Sequence, residues 1–311
     1  MNSTFKHIAG IVTFVIFSIA VYSALSFWIL KKPLTIGYMA DAYSTKESYA
    51  KTIQQPKIVI VAGSNGLYSY NCAVFEEVLH KSCVNFAVSA GLGADIIFKK
   101  SLPVIKKGDI VLMPLEYDFY SKAHSMEGNL IANRYLANYD RDLLKEFPLS
   151  RQIAVLFSLS LKEVYDSMVE MGLTQRGFQR RFTLSLLDKQ GDMTGHTAEK
   201  ALIYQPYISS LKGGNLNHVN PKAQTFIKDF ISHAEQQGAT VVGTLPTTLN
   251  NALTSEDNLQ RIKGIYPYFV TLDNQNRYPA SDFYDTFYHL NESRAQRHSH
   301  AIAQLLNDII L

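Results

Sequence analysis

From Ile8 to Leu30 the chain reads IAGIVTFVIFSIAVYSALSFWIL without one charged side chain. About 20 apolar residues in helical form cross the hydrocarbon core of a bilayer, and a helix satisfies its own backbone there. The run is too long for the apolar core of a cleaved signal peptide, and its N-terminal position does not suit a buried core helix. The expectation is one transmembrane anchor within residues 1–32, a polar juxtamembrane linker over 33–55 and a soluble domain over 56–311. Lys6 precedes the span and Lys31 and Lys32 follow it. The flanking charge therefore does not fix orientation, and taken alone it leans slightly toward a cytoplasmic domain.

Roughly 260 residues remain after the anchor and linker, enough for one α/β domain to bury its own core. The formal net charge of +3 is too small for a nucleic-acid partner, and the basic clusters are short and not interleaved with aromatics. Cys72 and Cys83 are the only cysteines. They suit a disulfide in an oxidising compartment or two apolar side chains in a reducing one, and neither has zinc-site spacing. No cofactor and no metal are expected.

KIVIVAG (57–63), CVNFAV (83–88) and DIVLMPL (109–115) are short apolar runs that read as buried strands, separated by a helix around 72–80 and a segment long enough for a crossover helix. That rhythm predicts a parallel sheet covered on both faces, an α/β fold. Residues 119–220 break it with helical stretches such as SRQIAVLFSLSLKEVYDSMVEMG and read as an insertion carrying substrate contacts. The pattern resumes with Asn220 and Pro221 as N-cap and first residue of a helix that Gly238 closes. ATVVGTLP (239–246) and YFVTL (268–272) are further strands. From Ser293 the apolar residues Ile302, Leu305, Leu306, Ile309 and Ile310 recur at helical spacing.

In an open parallel sheet, ligands bind beyond the carboxyl ends of the strands. The turn after the first strand is Ala62-Gly63-Ser64-Asn65-Gly66, which puts Ser64 where a nucleophile is useful; as a turn residue alone it needs no further role. Near the C-terminus DFYDTFYHLNESR sets Asp285 four residues before His289. A neutral imidazole takes a serine proton, and a carboxylate on its other nitrogen fixes the tautomer.

These blocks resemble the SGNH (GDSL-like) hydrolase superfamily, in particular membrane-anchored proteins that acylate envelope and extracellular polysaccharides. VAGSN looks like the block with the nucleophilic serine, matching Ser64. VNFAVSAGLGAD looks like the second block, with Gly91 as the counterpart of the glycine that donates to the oxyanion. Asp285 and His289 resemble the final block. The resemblance implies a three-layer α/β/α sandwich, a Ser64–His289–Asp285 triad and an oxyanion hole built on the amides of Ser64 and Gly91, with Asn65 beside them. Two positions depart from the family pattern. MPLEYDFY places Glu116 where an asparagine donor is usual, and an ionised carboxylate cannot donate. The Asp-to-His spacing is one residue longer than DxxH, which keeps Asp282 as a reserve for Asp285.

Ser64 lacks the GxSxG elbow of an α/β-hydrolase, and Gly91 and Gly93 do not complete a dinucleotide-binding GxGxxG. His298 and His300, two apart on a helix, face different directions and are read as surface residues. Arg176, Arg180 and Arg181 read as a solvated helix face.

Two functional readings follow. In the first, the protein transfers an acyl group, as an O-acetyltransferase or esterase, to or from a polysaccharide at the envelope, and its domain faces the periplasm or the exterior. In the second it is a catalytically silent module that binds polysaccharide or scaffolds other membrane proteins of polysaccharide assembly.

Overall fold

Five short apolar runs lie side by side as parallel strands, and the helices between them cover both faces. The structure is a computed structural model and describes residues 3–30, 36–122, 130–158, 161–177 and 182–310. The chain opens with helices α1 (Ser3–Leu30) and α2 (Gly37–Thr52), followed by strand β1 (Ile58–Ile60), α3 (Ser64–Ser69), α4 (Cys72–Leu79) and β2 (Cys83–Asn85). Next come α5 (Ala94–Ser101), β3 (Ile110–Met113) and α6 (Tyr117–Ser121). Helices α7 (Leu130–Asn138), α8 (Arg141–Lys145), α9 (Leu149–Leu156), α10 (Leu161–Gln175), α11 (Ala198–Ala201) and α12 (Gln205–Ser210) occupy the middle of the chain. The last part holds α13 (Pro221–Gln236), β4 (Thr240–Thr244), β5 (Thr248–Leu249), α14 (Glu256–Lys263), β6 (Tyr268–Val270), β7 (Arg277–Tyr278) and α15 (Glu292–Ile310). Contacts divide the chain into two compact units: Met1–Tyr38 with Asn133–Phe182, and Met39–Ala132 with Thr183–Leu311.

The larger unit is a three-layer α/β/α sandwich. Its parallel sheet has the order β2-β1-β3-β4-β6. Successive side chains of a strand point to opposite faces. Ile58, Ile60, Leu112, Val242 and Val270 pack on one face with Phe75 and Leu79 of α4 and with Ile302 and Leu306 of α15. Val59, Val111 and Val241 are in register across three strands and fully buried on the other face. Phe98 of α5 stacks on Phe230 of α13 with ring centroids 4.3 Å apart. Burial on both faces is why these strands read as continuous apolar runs.

The local signals act as expected. The Asn220 side chain accepts the Lys222 N–H at the start of α13, Pro221 is its first residue, and Gly238 follows with φ of 85°. A smaller parallel pair, β5 with β7, was not anticipated. The 33–55 stretch read as a linker contains α2, of which Ala42, Tyr43, Lys46 and Ala50 are buried. Tyr43 lies 5.3 Å from the Phe86 ring, and Lys46 Nζ donates to the Ala87 carbonyl. A lysine in the middle of the buried stripe disguised it as polar. The 119–220 insertion is also not one piece. Residues from Asn133 to Phe182 belong with α1, whereas those from Thr183 onward return to the sheet unit.

In the smaller unit the stretch Thr4–Leu25 of α1 has a mean hydropathy of 2.3 and contains no buried residue. It is not a core helix, and it is long and apolar enough to cross a membrane. Tyr22 stacks on Phe157 at 5.8 Å. Lys31, Lys32, Arg180 and Arg181 lie outside the described residues.

Cys72 and Cys83 form a disulfide, their Cα atoms 5.2 Å apart and both side chains fully buried. It joins the first turn of α4 to the start of β2 across a sequence separation of 11. Closing a loop of that length removes unfolded-state entropy worth about 3 kcal/mol. Replacing both cysteines by serine is expected to lower stability by about that amount, read as a lower thermal midpoint of the detergent-solubilised chain. Reduction of the unsubstituted chain should reproduce the shift.

Candidate active site

The strand order reverses between β1 and β3, and the crevice at such a switch point, beyond the carboxyl ends, is where open α/β sheets bind ligands. Both strands end there in candidate residues. Beyond β1 the chain turns through Gly63 into α3, and from Lys57 to Tyr70 every residue is buried except Ser64. Gly63 is required by close approach: a Cβ there would sit 2.5 Å from Glu116 Oε1 and 2.6 Å from the Ala90 nitrogen.

Glu116 follows β3 and is 1% exposed. Its Oε1 accepts the Asn65 N–H at 2.8 Å and its Oε2 accepts the Gly63 N–H at 3.2 Å. The carboxylate thus clasps the amides on either side of Ser64 and acts as an acceptor, not as an oxyanion donor. Burial pushes its carboxyl up to about 7, against the pull of those N–H bonds, and Asp118 adds to the rise. The Asn65 side chain is also spent inside, where Nδ2 donates to Thr247 Oγ1 at 3.1 Å. Gly91 lies in the 3₁₀ turn Ala90–Leu92, partly exposed, and its N–H reaches Ser89 Oγ at 3.3 Å.

A six-residue helix leaves its last carbonyls without intrahelical partners. In α3 the returning segment and β2 supply them. Asn85 Nδ2 donates to the Gly66 carbonyl at 2.8 Å, the Met193 N–H to that of Leu67 at 3.2 Å, and His196 Nε2 lies 3.1 Å from that of Tyr68. Asp192 ties the knot together, accepting from Cys72 N–H at 2.6 Å and Asn85 Nδ2 at 2.8 Å. Burial raises the Asp192 carboxyl to about 7 and lowers the His196 imidazole to about 4, so His196 is neutral at pH 7.

The Asp282–Asn291 loop folds back against the far end of α3. Ser69 Oγ donates to the Tyr288 carbonyl at 2.9 Å and accepts the Leu290 N–H at 3.1 Å. Between those anchors, His289 Nδ1 lies 2.6 Å from Asp285 Oδ1. Donation of Nδ1–H to the carboxylate leaves Nε2 as the acceptor of the neutral ring. The reserve, Asp282, is engaged elsewhere, 2.7 Å from Arg294 Nε. The His289 ring stacks flat on Tyr68, centroids 4.1 Å apart and planes 6° apart. Tyr68 is four residues after Ser64 in α3, and residues at that spacing share a helix face. The structure therefore joins Asp285 to His289 and sets that pair alongside the helix that presents Ser64.

Sequence reasoning missed Tyr68, Asn85, Asp192, His196 and Thr247. The spacing of Tyr68 from Ser64 was the one available signal. His298, expected at the surface, is buried, with Nδ1 2.8 Å from the Tyr278 hydroxyl, and burial lowers it to about 3. His300 is exposed. Among the described residues no group of three or more His, Cys, Asp or Glu is placed to hold a metal ion. Compared with protein-family models and with curated proteins, the chain matches none.

A carboxyl oxygen keeps a lone pair for accepting whether or not it is protonated, whereas a glutamine nitrogen has none. Glu116→Gln therefore strands one buried amide and is expected to cost about 1–3 kcal/mol near pH 5. The folded carboxyl near 7 stands above its ordinary 4.5. The folded state thus holds a proton that the unfolded chain has released, and this contribution, full below pH 4.5, is lost as pH rises through 7. Thermal unfolding of both proteins at several pH values should show the gap narrowing toward neutrality.

Proposed function

We propose that the larger unit carries out serine-dependent acyl transfer at Ser64. The reading is carried by the Asp285–His289 hydrogen bond held against α3, where Ser64 is the one residue of its turn to reach the surface. Ser64 Oγ attacks the acyl carbonyl while His289 Nε2 takes its proton. Collapse of the tetrahedral intermediate expels the donor's alcohol or thiol, which leaves with that proton and gives acyl-Ser64. An incoming hydroxyl then surrenders its proton to His289, attacks the acyl-enzyme and restores Ser64. Water as acceptor makes the protein an esterase, and a sugar hydroxyl makes it an O-acyltransferase. Asp285 fixes the tautomer and stabilises the imidazolium. Glu116 consumes the amides of Gly63 and Asn65 and leaves the Ser64 amide between them for the oxyanion, with Gly91 as second donor once Ser89 Oγ turns away. Such a donor is worth roughly 3 kcal/mol of barrier.

The acylated polysaccharide substrate is supported by the resemblance to SGNH proteins of envelope polymers. Partly buried Tyr204 and Tyr284, whose rings meet edge-on at 5.5 Å near His289, offer faces for a sugar ring. On this reading α1 anchors the domain on the periplasmic or exterior side, and the Cys72–Cys83 disulfide supports an oxidising compartment. A second reading, a silent polysaccharide-binding subunit, draws support from the Gly91 amide, already engaged by Ser89, and from an acceptor at Glu116 where a donor is useful.

Hydrolysis of p-nitrophenyl acetate by the detergent-solubilised chain, with labelling by a serine-reactive phosphonate, separates the two. Ser64→Ala is expected to abolish labelling and to lower kcat on the order of a thousand-fold. Activity that survives the substitution removes Ser64 from the nucleophile role, and an inert unsubstituted chain favours the binding module. Protease added to intact spheroplasts should digest the domain; protection would reverse the orientation.

A further inference from the structure

Asn65 and Ser69 lie one turn apart on α3, and residues at that spacing share a helix face. Thr247 bonds to both, and all three side chains are fully buried. Asn65 Nδ2 donates to Thr247 Oγ1 at 3.1 Å, and Thr247 Oγ1 lies 2.9 Å from Ser69 Oγ and 3.1 Å from the Tyr288 carbonyl. Counting protons gives these contacts a direction. Ser69 Oγ accepts the Leu290 N–H and donates its own proton to the Tyr288 carbonyl. A hydroxyl has one proton and two lone pairs, so Thr247 accepts from Asn65 and donates toward Ser69 and Tyr288. The result is one line of bonds from the residue after Ser64 to the two residues on either side of His289.

Thr247 is itself held from a third direction. It follows β4 and precedes β5, where the Thr248 N–H donates to the Asn276 carbonyl at 3.1 Å and Asn276 Nδ2 donates to the Leu245 carbonyl at 2.7 Å. Its backbone is thus pinned by Asn276 and by the pairing of β5 with β7, independently of α3 and of the final loop. A six-residue helix has little stability of its own, so the placement of α3 comes from such outside contacts. We propose that Thr247 is a positioning residue for acyl transfer, whose hydroxyl sets the serine turn and the His289 loop in register with each other. The inference rests on the acyl-transfer reading of Ser64. Because Thr247 is fully buried, it acts through Ser64 and His289 and not on the substrate. The rate is steeply sensitive to such register, since a misplacement of about 1 Å costs on the order of a hundred-fold.

The test uses the full chain in detergent, with p-nitrophenyl acetate turnover and phosphonate labelling measured well below the thermal midpoint of each variant. Thr247→Val keeps the shape of the side chain and removes the hydroxyl, which leaves Asn65 Nδ2 without its acceptor. It is expected to lower kcat and the labelling rate by about ten-fold to a hundred-fold with KM unchanged, and Thr247→Ser to restore both. A chain with Cys72→Ser and Cys83→Ser, which loses stability but none of these bonds, is expected to keep its kcat and labelling rate. Where Thr247→Val does not fold, Ser69→Ala breaks the line one bond further on and is held to the same kcat, KM and labelling criteria. Unchanged kcat in Thr247→Val beside an inactive Ser64→Ala overturns the proposal and leaves Ser64 as nucleophile. So does a kcat loss that Thr247→Ser fails to reverse, a rise in KM alone, or an equal kcat loss in the cysteine variant. An unsubstituted chain that is neither active nor labelled, or a Ser64→Ala chain with full activity, removes the acyl-transfer reading and the proposal with it.

Discussion

One buried carboxylate holds the centre of the larger unit together. Glu116 reaches from the end of β3 to the turn after β1 and binds the two amides that flank Ser64. Those amides are buried beneath the turn, where an unpaired N–H costs as much as a lost hydrogen bond. The clasp fixes the path of the chain just where Ser64 reaches the surface, and it explains why Gly63 carries no side chain. Burial works against ionisation of the carboxylate, so the turn is held by a group near its own protonation boundary.

Around that clasp, the short helix α3 is fixed at both ends by residues remote in sequence. Asn85, Met193 and His196 satisfy its carbonyls, and Ser69 at its close receives the Tyr288–Leu290 backbone. Asp285 and His289 form a separate pair, positioned through ring stacking on Tyr68. The geometry is a layered one in which backbone bonds orient α3 and α3 in turn orients the imidazole.

Much of the sheet was legible because strands buried on both faces leave unbroken apolar runs, and the cap at Asn220 and the stop at Gly238 have purely local causes. The pairing of Asp285 with His289 was legible because the two lie four residues apart just before the last helix, and the placement of Ser64 because it follows a strand end. The clasp by Glu116 was not, since a carboxylate facing two amides leaves no pattern in a linear chain. The same holds for Asp192 and His196, whose partners lie over a hundred residues away. Helix α2 was hidden because Lys46 interrupts its apolar stripe, and the division at Asn133 falls inside helix α7, where the sequence shows no break.

The helix that carries Ser64 belongs to the first strand-turn-helix of the fold, whereas His289 arrives with the final loop, ahead of α15. During synthesis from the N-terminus the turn around Ser64 emerges long before His289. Docking of α15 on α4 and of Leu290 on Ser69 closes that interval. A prematurely ended chain would lack the imidazole that stacks on Tyr68 and the backbone that Ser69 binds, so the surroundings of α3 are finished only when the C-terminal loop arrives.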